Sequence, residues 1–252
     1  MTAQSPAVAL ARPTVAQQRI ARIAGVFFII TFVASIPALL LYEPLLKHHN
    51  YILGAGTDTR IAFGALLEII LAIANIATAV VLYPILKRQS QSISLGYVAS
   101  RTLESTVIVI VIGIVSVLSV VTLRQDVGGA GAADGASLVL AGRSLVAIHD
   151  WTFLLGPAFC AGFGTGLLLG YLMYKSGLVP RRMAMLGLIG GPLIFASATA
   201  ILFGAYKNGS GPATIAALPE IAWELSLGIY LIVRGFKPSP ILAQGSSPNT
   251  GR

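Results

Sequence analysis

Charged and strongly polar side chains are scarce in the long apolar stretches of this chain, so the few that occur there are the first candidates for chemistry. An ionisable group at the centre of a hydrocarbon layer costs about 2.5–3.5 kcal/mol on insertion scales unless it is paired or hydrated. The residues in that position are Glu68, the pair Arg101 and Glu104, the dipeptide His149-Asp150, and Glu224. Asn75 lies seven positions after Glu68, two helical turns on, and so shares its helix face. A carboxylic acid and an amide on one stripe are expected to point into a bundle rather than at lipid. Arg101 and Glu104 are three apart and can pair directly, with Ser105 extending the polar edge. The alternative is that Arg101 reaches to the headgroups on its long stem while Glu104 follows it.

Other reactions find less support. Adjacent helical residues point about 100° apart, so His149 and Asp150 do not form a facing dyad. No Gly-x-Ser-x-Gly elbow supplies a nucleophile, and neither His-Glu-x-x-His nor paired-cysteine spacing supports a metal site. No catalytic residue, metal site or cofactor is therefore assigned. The lone cysteine, Cys160, has no intramolecular disulfide partner. Glu224 stands one turn into the last apolar stretch, four residues after Glu220. It reads either as acid lining an outer vestibule or as an ordinary interfacial residue.

Glycines mark where helices would have to approach or bend. Gly156-Pro157 interrupts the hydrogen-bond ladder of the fourth stretch and predicts a kink. After it, Gly162, Gly166 and Gly170 recur every fourth residue, and Gly187 and Gly191 repeat the spacing in the fifth stretch. Small residues at this spacing form smooth packing faces, so the fourth and fifth stretches are expected to pack across these glycines. A hinge is the functional alternative.

The elements that must position these residues follow from hydropathy. The 252 residues are 56% hydrophobic and 10% charged, with mean hydropathy +0.83. That charge is too sparse to cover a soluble globule, for which about 25% is usual. Six stretches reach or approach the roughly 20 apolar residues that cross a bilayer: Ala21–Tyr42, Ile61–Leu86, Gly96–Leu123, Leu145–Tyr174, Met183–Tyr206 and Pro219–Val233. The apolar residues run continuously rather than alternating, which argues against barrel strands. The expected fold is all-α, an integral membrane bundle of six transmembrane helices over residues 19–235. Tails at 1–18 and 236–252, rich in Ser, Pro, Ala and Gly, are expected to be disordered. Turn chemistry separates the stretches at Lys47–Asn50, Gly54–Asp58, Gly128–Gly131 and Asn208–Pro212. The first stretch follows Arg19 and Arg22, as a signal peptide would, but exceeds the usual length and reads as an uncleaved span.

Lysine and arginine set the orientation. One set of segments holds Arg12, Arg19, Arg22, Lys87, Arg88, Arg101, Lys175, Arg181, Arg182, Arg234, Lys237 and Arg252. The other holds Lys47, Arg60, Arg124, Arg143 and Lys207, diluted by acids. Both termini are accordingly expected in the cytoplasm. The net charge of +8 then orients the chain and attracts anionic lipid, so the lipid bilayer is the expected partner and nucleic acid is not.

Four segments together carry a resemblance: Glu68-Ile69-Ile70-Leu71-Ala72-Ile73-Ala74-Asn75, Ser100-Arg101-Thr102-Leu103-Glu104-Ser105, His149-Asp150-Trp151 and Gly177-Leu178-Val179-Pro180-Arg181. In order and spacing they resemble the bacterial multi-pass membrane family known as domain of unknown function 4386, from about Arg19 to Gly235. The resemblance implies a multi-pass topology in a bacterial cytoplasmic membrane and assigns no activity and no site residues. Two classes of function stay open: a polar intramembrane ligand or transport site around Glu68, and a structural, sensory or accessory subunit whose buried polar residues pin helices together.

Overall fold

A computed structural model describes residues 10–48, 51–54, 58–127 and 135–245 of the chain. The loop expectations at 49–50, 55–57 and 128–131, and the outermost tail residues, lie outside the described residues. Helix α1 (Val15–Lys47) opens with a capping box in which the Thr14 hydroxyl accepts from the Gln17 backbone and the Gln17 side chain answers the Thr14 backbone N–H. Helix α2 (Asp58–Leu86) returns. A tight turn capped by Ser90 leads into α3 (Gln91–Thr102), which continues through a π-helical segment, Leu103–Ile114, into α4 (Val115–Val127). The next rod, α5 (Gly135–Phe153), passes through π segments Leu154–Cys160 and Gly162–Leu169 to α6 (Gly170–Ser176). Helices α7 (Arg181–Leu202) and α8 (Gly211–Val233) complete the bundle.

Five helices among the described residues are long and apolar enough to cross a membrane: Val15–Lys47, Asp58–Leu86, Gly135–Ser176, Arg181–Leu202 and Gly211–Val233. Residues 91–127 form the remaining rod, with a shorter apolar stretch at Ile112–Gln125. The outward faces carry exposed apolar side chains such as Val33, Ile36, Phe63, Ile73, Ile189, Ile215 and Ile229. A water-facing surface of that kind would be untenable over so many helices, whereas lipid accepts it. The chain has the build of a multi-pass membrane protein.

Two expected boundaries shift, with consequences for the site. The third rod begins at Gln91 rather than Gly96, because the Ser90 cap follows the end of α2 almost directly. Arg101 is therefore not a loop-side charge; it is buried inside the bundle. The last helix starts at Gly211 and carries Pro219 within it, so Glu224 sits near mid-helix rather than one turn from its start. Proline is tolerated inside membrane helices where neighbours satisfy the freed backbone.

Two apolar clusters divide the interior. One joins Ala21 and Phe28 of α1, Leu82, Ile85 and Leu86 of α2, Tyr97, Leu172, Trp223 and Leu231. The other joins Tyr42 and Leu45 of α1 to Ile61, Ala65 and Ala72 of α2 and to Val117 and Val120 of α4. Buried polar side chains stand between these clusters: Thr31 on α1, Asn75 and Thr78 on α2, and Ser100, Arg101, Glu104 and Ser105 in residues 91–127.

The glycine faces meet. A Cβ on Gly162 would lie 3.0 Å from the Gly191 carbonyl oxygen, and one on Gly166 would fall on the Gly191 Cα. Gly170 rests against the Gly187–Leu188 backbone, and Gly187 against the Trp223 indole. Gly25 of α1 and Gly228 of α8 make a further close approach that the every-fourth-residue pattern did not flag. Pro157 sits in a widened π turn.

The tails differ from expectation in part. Residues 236–245 fold back onto the bundle: Phe236, Ile241 and Leu242 are buried in the first apolar cluster beside Leu86, Leu178 and Val179. Gln18 brackets Phe236, accepting from its N–H at 2.9 Å and donating to its carbonyl at 3.0 Å. Ser239 bridges Ala11 and donates to the Ser176 carbonyl at 2.5 Å. Apolar residues at 236, 241 and 242 supply the burial that a purely polar tail lacks. The segments bearing Arg12, Lys87-Arg88, Lys175, Arg181-Arg182, Arg234 and Lys237 are thus gathered at one end. At the other, Arg124 is ion-paired with Asp58 and lies over the Tyr51 ring, 5.0 Å from its centroid.

Candidate functional site

Arg101 is the centre of the buried polar belt. It lies in the last turn of α3, where its guanidinium is only 2% exposed. Its Nη1 donates to Glu104 Oε2 at 2.8 Å, one turn on in the π segment, and its Nη2 donates to Glu224 Oε1 of α8 at 2.9 Å. The guanidinium fork fits two carboxylates at once, which a lysine ammonium would do with less geometric control. Glu224 is the most open member, with its side chain 16% exposed.

Glu220 joins this group from one turn earlier on α8. Its residue is 4% exposed, and neither carboxylate oxygen has a hydrogen-bond partner among the described residues. The carboxylate lies against glycine backbone: a Cβ on Gly166 would come within 2.6 Å of Glu220 Oε2. Only a glycine on the facing rod leaves room for it.

These four side chains line one cavity of about 230 Å³ with Asn75, Thr31 and Ser35. Apolar walls come from Phe32, Leu71, Val109, Pro157, Ile194 and Ile221. The π turns around it direct backbone groups toward neighbours. The Cys160 carbonyl accepts from Ser100 Oγ at 2.9 Å, and the Thr165 carbonyl accepts from Trp223 Nε1 at 3.0 Å. Irregular helix at membrane depth is stable where protein satisfies it in this way, and π bulges recur at functional sites.

Of the residues singled out from sequence, Asn75, Arg101, Glu104 and Glu224 come together here. Glu68 does not. Two helical turns separate it from Asn75, about 10 Å along the axis, and it forms a second cluster. There Tyr42 donates to Glu68 Oε2 at 3.0 Å, and His149 Nε2 stands 3.9 Å from Glu68 Oε1. The Tyr42 and His149 rings meet edge to face at 5.5 Å. Gly64 makes room for the tyrosine, since a Cβ there would strike its ring at 2.5 Å. Asp150 belongs to neither cluster. It points away from His149 to the rim, where it lines a cavity of about 280 Å³ with His48, Tyr51 and Arg143. It also borders a crevice of about 610 Å³ with Trp151, Tyr206 and Lys207.

Sequence reading left out Tyr42, Thr31, Ser35 and the role of Glu220. Glu220 carried a usable signal, four residues before Glu224 on the same helix face. Tyr42 carried none, because an aromatic at the end of an apolar stretch ordinarily marks the interface.

No curated protein and no solved structure matches this chain. One family does, over residues 23–235, a stretch that holds both clusters and every helix of the bundle in whole or in large part. The chain belongs to that family, described as Domain of unknown function (DUF4386).

Proposed function

We propose that this protein crosses a bacterial cytoplasmic membrane six times and holds a ligand or transport site at mid-depth, in the cavity framed by Arg101, Glu104, Glu220 and Glu224. Residues 91–127 supply the sixth span, and the basic end of the bundle faces the cytoplasm with both ends of the chain. Lipid is its surrounding partner, and nucleic acid is not. The location differs from the one first expected: the site is centred on Arg101, with Glu68 in a neighbouring cluster nearer the opposite end.

The observation that carries this reading is Glu220. A helix-pinning network satisfies its members, because a buried polar group without a partner costs about 1–3 kcal/mol. Glu220 lies beside a cavity with both oxygens unmatched among the described residues. A solute entering the cavity could supply the partner that the protein does not. The Tyr42–Glu68–His149 cluster supports the second reading, since a side-chain network joining α1, α2 and α5 is what a pin looks like. The two readings are compatible if they apply to different clusters.

The test is chemical access. In a Cys160→Ser background, Ala217→Cys puts a thiol on the cavity wall, and Ala72→Cys puts one in the apolar cluster. Alkylation by iodoacetamide requires a thiolate, which apolar burial suppresses. The Ala217→Cys thiol is expected to react in native membranes while the Ala72→Cys thiol stays inert. Equal inertness of the two would reduce the Arg101 cluster to a pin.

A further inference from the structure

Building on that reading of the cavity, we infer that its ligand is a small organic monocation, an alkylated or primary ammonium, whose charge sits on Glu220. Three carboxylates and one guanidinium line the cavity. Arg101 is already engaged by Glu104 at 2.8 Å and Glu224 at 2.9 Å, two carboxylates against its single positive charge. An anion entering here would meet no free cation and three acids. A cation meets Glu220, which is 4% exposed with both oxygens lacking a hydrogen-bond partner among the described residues. Arg101 Nε is also buried without a hydrogen-bond partner among the described residues. It adds a donor rather than an uncompensated charge, and suits a ligand carrying a neutral acceptor beside its ammonium.

The walls select the kind of cation. A hard inorganic ion such as calcium takes six to eight oxygen ligands. Here Phe32, Leu71, Val109, Pro157, Ile194 and Ile221 occupy much of the lining. Apolar walls with one unmatched carboxylate fit an ammonium with a hydrocarbon body. The size limits that body, because about 230 Å³ falls below the roughly 300–1,000 Å³ of drug-sized sites. Only a few carbon atoms around the charged nitrogen are accommodated.

The same Ala217→Cys variant reads the charge. Two methanethiosulfonates of similar size, one bearing trimethylammonium and one sulfonate, are compared in native membranes, each rate normalised to its rate with free mercaptoethanol. The cationic reagent is expected to react about tenfold faster or more, a ratio equivalent to about 1.4 kcal/mol between the two reagents. Glu220→Gln should bring the ratio toward one, and Glu220→Asp, which keeps the charge, should retain it. Tetramethylammonium should slow the cationic reagent in the Glu220 background and not in the Gln background. A ratio near one with Glu220 intact, or a preference unchanged by Glu220→Gln, overturns the cation assignment while reaction with iodoacetamide leaves the site itself standing. Silence toward all three reagents overturns both.

Discussion

Arg101 and Glu220 occupy the same cavity under opposite conditions. The guanidinium is held between two carboxylates from different helices, and the Glu220 carboxylate is held by no hydrogen bond among the described residues. Removing them should therefore have different effects. Arg101→Ala leaves Glu104 and Glu224 buried near one another without their counter-charge, and is expected to lower stability in detergent by about 3–5 kcal/mol. Glu220→Gln has no partner bond to lose, so its cost should stay below about 1 kcal/mol, the size of one net hydrogen bond. Denaturant titration of the two purified variants in one detergent makes the comparison, and equal losses would make Glu220 a structural residue. The polar members of the site were largely legible as residues, because charge in an apolar stretch is conspicuous. Their partners were not. Glu68 and Asn75 share a helix face, yet one meets Tyr42 and the other faces Arg101, and only the approach of other helices decides which.

At the scale of elements, widened turns and glycine seams bring the acids of α8 against α3 and the rod that follows α5. The seam at Gly166 and Gly191 has no spare volume: a Cβ on Gly166 would fall on backbone, which cannot rotate aside. Gly166→Ala is expected to destabilise by about 1–3 kcal/mol through overpacking. Gly96→Ala is the control, since its Cβ would meet only the movable Leu168 Cδ1 at 3.3 Å, and helix propensity favours alanine by about 1 kcal/mol. Thermal unfolding should separate the two variants by several degrees, with Gly96→Ala at or above the parent. Equal melting would mean that the seam relaxes freely. The every-fourth-residue spacing made this seam legible in advance. The π segments were not legible, because a bulge arises from competition between ladder hydrogen bonds and packing along the whole rod. Nor was the true start of α8, where Pro219 reads as a helix beginning although it lies inside.

Across the whole molecule, two apolar clusters enclose a polar belt, and the basic end is closed by residues 236–245, which fold back beside Ala11. Phe236, Ile241 and Leu242 complete the cluster there, and Gln18 and Ser239 tie the tail down by hydrogen bonds. Hydropathy made the rods legible because apolar length is a property of the sequence itself. The folded-back tail was hidden by a Ser- and Pro-rich composition in which three apolar residues carry the packing. The most direct test of the central claim is an experimental structure of the protein in a lipid nanodisc, at a resolution that shows ordered water. The Arg101 cavity should then contain non-protein density, water or a bound solute, within hydrogen-bonding distance of the Glu220 carboxylate. A dry, collapsed cavity, with Glu220 bonded to a protein group, would contradict the claim that this belt is a site.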